Sequence, residues 1–196
     1  VALIIIMTRN IDAQVKNATK WSAITEITAK LVTPVTSMVL ARLLTPEAYG
    51  IIATLSMIIV FAEIFTDAGF QKYIIQHEFK NDEEKDQSIN VAFWSNLILS
   101  VFLWIVIALF SKPLMRLVGN PGYEIPLIVV CISIPLAAFS SIQMAVYKRD
   151  FEYKTLFKIR IIGILVPLFV TMPCAFILRD YWALLIGTIA SNLINA

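Results

Sequence analysis

VAFWSNLILSVFLWIVIALF, residues 91–110, carries no ionisable side chain from end to end. As an α-helix it is about 30 Å long, the thickness of a bilayer's hydrocarbon core. That reading decides the fold, because a span needs company. Five further apolar stretches, residues 21–44, 51–65, 126–147, 159–178 and 181–196, complete a set of six. The expectation is an all-α polytopic membrane protein, a six-transmembrane-helix bundle over residues 21–196. Composition agrees: 59% of the 196 residues are hydrophobic, 15% are charged and the mean hydropathy is +0.79. Soluble domains carry about 25% charged residues. A soluble helical domain with a large core is the rival reading, and the uncharged run argues against it.

Outward from the spans, the connections differ in charge. One set holds Arg9, Lys16 and Lys20, then Lys72, Lys80 and Lys85, then Lys148, Arg149, Lys154, Lys158 and Arg160. The other holds Arg42, Lys112, Arg116 and Arg179. Lys and Arg collect on the cytoplasmic side, so residues 1–20 are expected as a cytoplasmic N-terminal segment. Residues 1–7, VALIIIM, are too short to span and precede no cleavage pattern. Residues 1–6 are set aside as a candidate translation-start artefact. At the other end Ala196 follows apolar sequence directly, which gives the expectation of a truncated chain.

Several local features have ordinary explanations. Cys131 and Cys174 lack CxxC spacing and are expected as free buried thiols. Gly69 is expected to end the second helix, which runs on past the short apolar stretch through Glu63 and Asp67. Asp82, Glu83, Glu84 and Asp86 resemble a metal cluster, but Lys80 and Lys85 interrupt them, so a solvated loop is expected. Residues 148–160, KRDFEYKTLFKIR, read as an amphipathic linker with its cations near anionic lipid. Pro135, Pro167 and Pro173 are expected to bend the fourth and fifth spans, and Pro34 the first. No metal or cofactor is expected. Without a nucleophile elbow, a phosphate-binding loop, a dinucleotide fingerprint or HExxH, an enzyme is not expected. The small, dispersed charge of +2 excludes a nucleic-acid partner.

Polar residues at membrane depth carry the chemistry. Ser22, Glu26, Lys30, Thr33 and Ser37 share one face of the first helix by their spacing. An ionised group at the bilayer centre costs on the order of 3 kcal/mol on insertion scales, so such a face turns to protein or water. Glu26 and Lys30 either form an intrahelical ion pair or act separately, Lys30 offering its cation to an anionic headgroup and Glu26 orienting it or coupling an ion. Thr188, Ser191, Asn192 and Asn195 form a second polar face, on the sixth helix. Gly187 and Ser191 form a small-xxx-small pair there. The cavity candidates are Glu26, Lys30, Thr33, Ser37, Asn96, Gln143 and Asn192, with Asn96 and Gln143 also readable as interhelical glue. Glu63 and Asp67 read as a solvated helix end.

At Ala41-Arg42-Leu43-Leu44-Thr45-Pro46-Glu47-Ala48-Tyr49-Gly50 the chain resembles the first-helix exit of the Wzx-like oligosaccharide flippases. Asp67-Ala68-Gly69, Lys148-Arg149-Asp150-Phe151 and Tyr181-Trp182-Ala183-Leu184 resemble later motifs of that family in order and spacing. The resemblance implies one half of a MATE-like transporter of two six-helix bundles in the bacterial cytoplasmic membrane. It also implies a substrate, an oligosaccharide on undecaprenyl diphosphate, for lipopolysaccharide or exopolysaccharide biosynthesis. Membrane lipids and a second bundle or a homodimer partner complete the expected partners. The alternatives are a MATE-like cation or drug antiporter half, and a non-transporting membrane interaction subunit or truncated remnant.

Overall fold

The computed structural model describes the backbone of residues 2–67 and 69–195, and the side chains of residues 19–66, 69–166 and 168–195. Among these residues every element is a helix: α1 (Ala2–Leu43), α2 (Pro46–Asp67), α3 (Phe70–Gln76), α4 (Asp82–Leu109), α5 (Ser111–Leu117), α6 (Glu124–Val130), α7 (Ser133–Arg149), α8 (Tyr153–Val166), a π-helical turn (Pro167–Thr171), α9 (Met172–Leu178) and α10 (Trp182–Asn195). The chain is an all-α polytopic membrane protein. Among the described residues five stretches are long and apolar enough to cross a membrane: Thr19–Leu43, Pro46–Thr66, Asp82–Leu109, Glu124–Arg149 and Tyr153–Leu178. The expected sixth span corresponds to α10, a shorter apolar helix of 14 residues.

Local chemistry sets the helix ends and corrects several expected boundaries. Residues 46–50, which the sequence places between the first two apolar stretches, are the start of α2. Thr45 Oγ1 accepts the Ala48 N–H at 3.3 Å as an N-cap, Pro46 takes the first helical position, and Glu47 sits at the positive end of the helix dipole. The second span is therefore not short: α2 has 22 residues, about 33 Å. Gly69 closes it with φ +84°, a conformation that glycine adopts without a Cβ penalty. Asp67 and Ala68, the rest of that motif, lie outside the residues whose side chains are described.

The expected acidic loop is mostly helix. Asn81 Oδ1 accepts the Glu84 N–H at 2.9 Å while Glu84 Oε2 accepts the Lys80 N–H at 2.9 Å, a reciprocal cap that starts α4 at Asp82. Asp82, Glu83 and Glu84 are its first turn, where the dipole favours carboxylates. Residues 148–160 are likewise not a separate linker. Lys148 and Arg149 end α7, a tight turn with Phe151 at φ +56° follows, and α8 begins at Tyr153. The fifth span thus starts several residues earlier than its hydropathy suggests.

The prolines act in different ways. Pro135 has no N–H for the Cys131 carbonyl one turn back, which accepts from Ile134 N–H at 3.0 Å instead; the fourth span breaks there into α6 and α7. Pro167 opens the π-helical turn and Pro173 lies in the first turn of α9. Pro34 is accommodated inside α1, which runs on to Leu43. Thr25, Thr28 and Thr36 return their hydroxyl protons to the carbonyls of Trp21, Ile24 and Val32 at 2.8–2.9 Å, which satisfies them inside an apolar medium.

Contacts between connections confirm that the long helices alternate in direction. At one end of the bundle Arg149 donates to the carbonyls of Ile74 and His77, both at 2.6 Å, and its guanidinium lies 4.5 Å from the Phe79 ring centroid. Lys85 and Asp150 pair at 3.4 Å beside it, and His77 stacks on Tyr73. At the opposite end Asn120 donates to Thr54 and Tyr123 meets Tyr181 edge to face. Between the ends Leu55, Ile59, Met115, Leu127, Ile134 and Leu185 form the main core. Cys131 belongs to it, whereas Cys174 is only partly buried; both thiols are free, so full burial holds for one of the two. Met57, Phe61, Leu109, Phe169 and Ile177 point outward, a surface suited to lipid.

Candidate functional site

The polar faces of α1 and α10 meet across α8. Gly187 is buried so closely against Thr171 that a Cβ there would overlap its side chain, and Ser191 Oγ donates to the Gly163 carbonyl at 3.4 Å. The small-xxx-small pair thus brings α10 onto the fifth span, and its next polar residues face α1.

Two clefts result, and they share Gly163, Ile164 and Ser191 in their walls, so they form one groove. The first, of about 410 Å³, is lined by Ser22, Thr25 and Glu26 of α1, Lys148 of α7, Tyr153 and Arg160 of α8, and Asn195 of α10. The second, of about 460 Å³, is lined by Thr33, Thr36 and Ser37 of α1, Thr171, and Thr188 and Asn192 of α10. Along the groove the chemistry changes from charged to hydroxyl and amide.

The charged part centres on one ion pair. Arg160 Nη2 lies 3.1 Å from Glu26 Oε1, each side chain about half exposed at 59% and 49%. Both residues lie about two turns inside their spans, at matching depth on adjacent helices. Neutralising two charges at that depth offsets the insertion cost each would carry alone. Trp21 and Phe157, with ring centroids 4.9 Å apart, pack the same two helices together nearby. Lys148 brings a second cation to this cleft, and the described residues give it no ion pair.

The sequence-derived candidates divide. Glu26 lines the first cleft, and Thr33, Ser37 and Asn192 line the second. Lys30 is exposed, lies in the wall of neither cleft, and has no ion pair among the described residues; the intrahelical Glu26–Lys30 pair is replaced by the Glu26–Arg160 pair. Gln143 is exposed on α7. Asn96 is remote from the groove: its Nδ2 donates to Ser141 Oγ at 2.7 Å, joining α4 to α7. Arg160 and Lys148 are the residues that sequence reasoning placed elsewhere, as loop charges. The signal that would have found Arg160 is its distance from the turn at residues 150–152, not its hydropathy.

Comparison with known proteins gives a consistent picture. The family described as "Polysaccharide biosynthesis protein" matches residues 39–196. The succinoglycan biosynthesis transport protein ExoT of Rhizobium meliloti is 24% identical over 149 residues, 76% of this chain and 29% of the relative. The lipopolysaccharide biosynthesis protein WzxC of Escherichia coli is 21% identical over 177 residues, 90% of this chain and 34% of the relative. A membrane protein of the cps region of Klebsiella pneumoniae is 29% identical over 94 residues, 48% of this chain and 19% of the relative. The chain therefore spans about a third or less of the length of these relatives. No solved structure matches it.

Proposed function

Because the chain belongs to the polysaccharide biosynthesis protein family, we propose that it takes part in moving an oligosaccharide on undecaprenyl diphosphate across the bacterial cytoplasmic membrane. In this reading it supplies one six-helix half of a flippase, and a second bundle or a second copy closes the groove. The single observation that carries the proposal is the groove itself, a cationic mouth that continues into hydroxyl and carboxamide walls.

Each part suits one part of such a substrate. Arg160 and Lys148 answer the diphosphate, Arg160 through the paired N–H donors of its guanidinium. Glu26 holds Arg160 while the site is empty, and an incoming phosphate displaces it. Thr33, Ser37, Thr188 and Asn192 offer donors and acceptors to sugar hydroxyls. Lys30, exposed on α1 one turn after Glu26, is a further cation for the phosphate as the substrate passes. The Lys and Arg distribution favours a cytoplasmic N-terminus, which puts Arg160 and Lys148 at the cytoplasmic mouth. The relatives named for succinoglycan transport and lipopolysaccharide biosynthesis support a polysaccharide role.

Deletion of the gene in a polymer-producing strain should make lipid-linked oligosaccharide accumulate without altering drug sensitivity. Drug sensitivity without accumulation would favour a MATE-like cation antiporter. Loss of polymer without accumulation would favour a non-transporting interaction subunit. Either result contradicts the flippase reading.

A further inference from the structure

We propose that a second cleft, separate from the groove, binds a single hard monovalent cation such as sodium. This cleft, of about 390 Å³, lies where α2, α4 and α7 meet and is lined by Glu63, Thr66, Gln71, Asn96, Ala138 and Ser141, among others. It shares no wall residue with the groove. Its lining is rich in oxygen donors, the kind that hard cations take.

Two groups in it lack partners. Asn96 is 4% exposed, and its Oδ1 is buried without a hydrogen bond. Ser141 gives its hydroxyl proton to the Ala138 carbonyl at 2.9 Å and accepts from Asn96 Nδ2 at 2.7 Å, an arrangement that leaves Asn96 Oδ1 as the open atom. The free Asn96 atom is therefore an acceptor, and a buried acceptor without a partner calls for a donor or a cation. Glu63 is half-buried within the second span, and among the described residues its carboxylate has neither an ion pair nor a hydrogen bond. Glu63 lies in the last turn of that span, where a half-buried carboxylate is stabilised by a balancing charge.

One ion answers both needs. With one carboxylate present, a monovalent cation leaves the site neutral, whereas a divalent ion would leave a net positive charge. Glu63, the Asn96 carbonyl oxygen and the remaining lone pair of Ser141 provide ligands from three helices, so occupancy ties α2 to α4 and α7. The site is separate from the oligosaccharide reading and stands or falls without it.

The test is thermal unfolding of the purified chain in detergent, in sodium chloride against choline chloride at equal ionic strength. Sodium at about a hundredfold over its Kd should raise Tm by roughly 5–10 °C, saturably. Glu63→Gln, a near-isosteric change at a half-buried position, should abolish the rise. Glu47→Gln, at the other end of the same helix and exposed, should retain it. No difference between sodium and choline would overturn the proposal, Asn96 Oδ1 then being met by ordered water. So would a rise that survives Glu63→Gln. A stabilisation that follows pH but not sodium, and is lost in Glu63→Gln, would overturn it in favour of a protonated Glu63.

Discussion

A methyl group added at Gly187 would collide with Thr171 Oγ1 and lie 2.9 Å from Thr171 Cβ. Thr171 is itself buried, in the π-helical turn, and cannot swing away. Gly187→Ala should therefore destabilise the protein by about 1–3 kcal/mol, the usual cost of overpacking, read as a lower Tm. Gly50 is the opposite case. It is exposed, lies inside α2, and has nothing within 4 Å of an added Cβ. Gly50→Ala should stabilise by about 0.5–1 kcal/mol through the unfolded chain's lost freedom. The same residue type gives opposite signs because only one of the two glycines sits at a helix crossing.

At the scale of elements, Arg149 holds one end of the bundle. Its guanidinium caps α3 through the carbonyls of Ile74 and His77 and covers Phe79. Hydrogen bonds to a charged group contribute about 1.5–3 kcal/mol, so Arg149→Ala should loosen α3 markedly. Hydrogen exchange of residues 70–76 should accelerate while α4 exchanges as before; unchanged α3 protection would refute the cap.

Element existence was legible in the sequence, because uncharged runs such as residues 91–110 and the 3.6-residue spacing of polar faces leave little choice. Element ends were less so. Hydropathy stops at the first charge, whereas helices stop at caps: Asn81 and Glu84 start α4 well before its apolar run, and Thr45 and Pro46 start α2 several residues before its apolar stretch at residue 51. The same effect hid Arg160. Once α8 is seen to begin at Tyr153, a residue counted as a loop charge becomes a partner for Glu26 two turns inside the span. Which polar faces meet depends on helix crossings, and spacing within one helix carries no information about them. That is why the α1 and α10 faces were found separately but Asn96 was grouped with them.

At the scale of the whole molecule, a polar groove runs between α1, α8 and α10, while Met57, Phe61, Leu109 and Ile177 face outward elsewhere. A polar groove in an apolar bundle is costly unless something polar fills it. On the account given, that is the headgroup and sugar of a lipid-linked oligosaccharide. Lys30→Gln should lower transport without loss of folded protein, and full activity would remove Lys30 from the path. Arg160 bears more weight, since it combines depth, a carboxylate partner and a place in the wall. The most direct test is binding of lipid-linked oligosaccharide to purified protein, wild type against Arg160→Gln, by native mass spectrometry. The account predicts at least about a tenfold loss of affinity with the fold intact, as expected when a charge-assisted phosphate contact is removed; equal binding by the two proteins would contradict it.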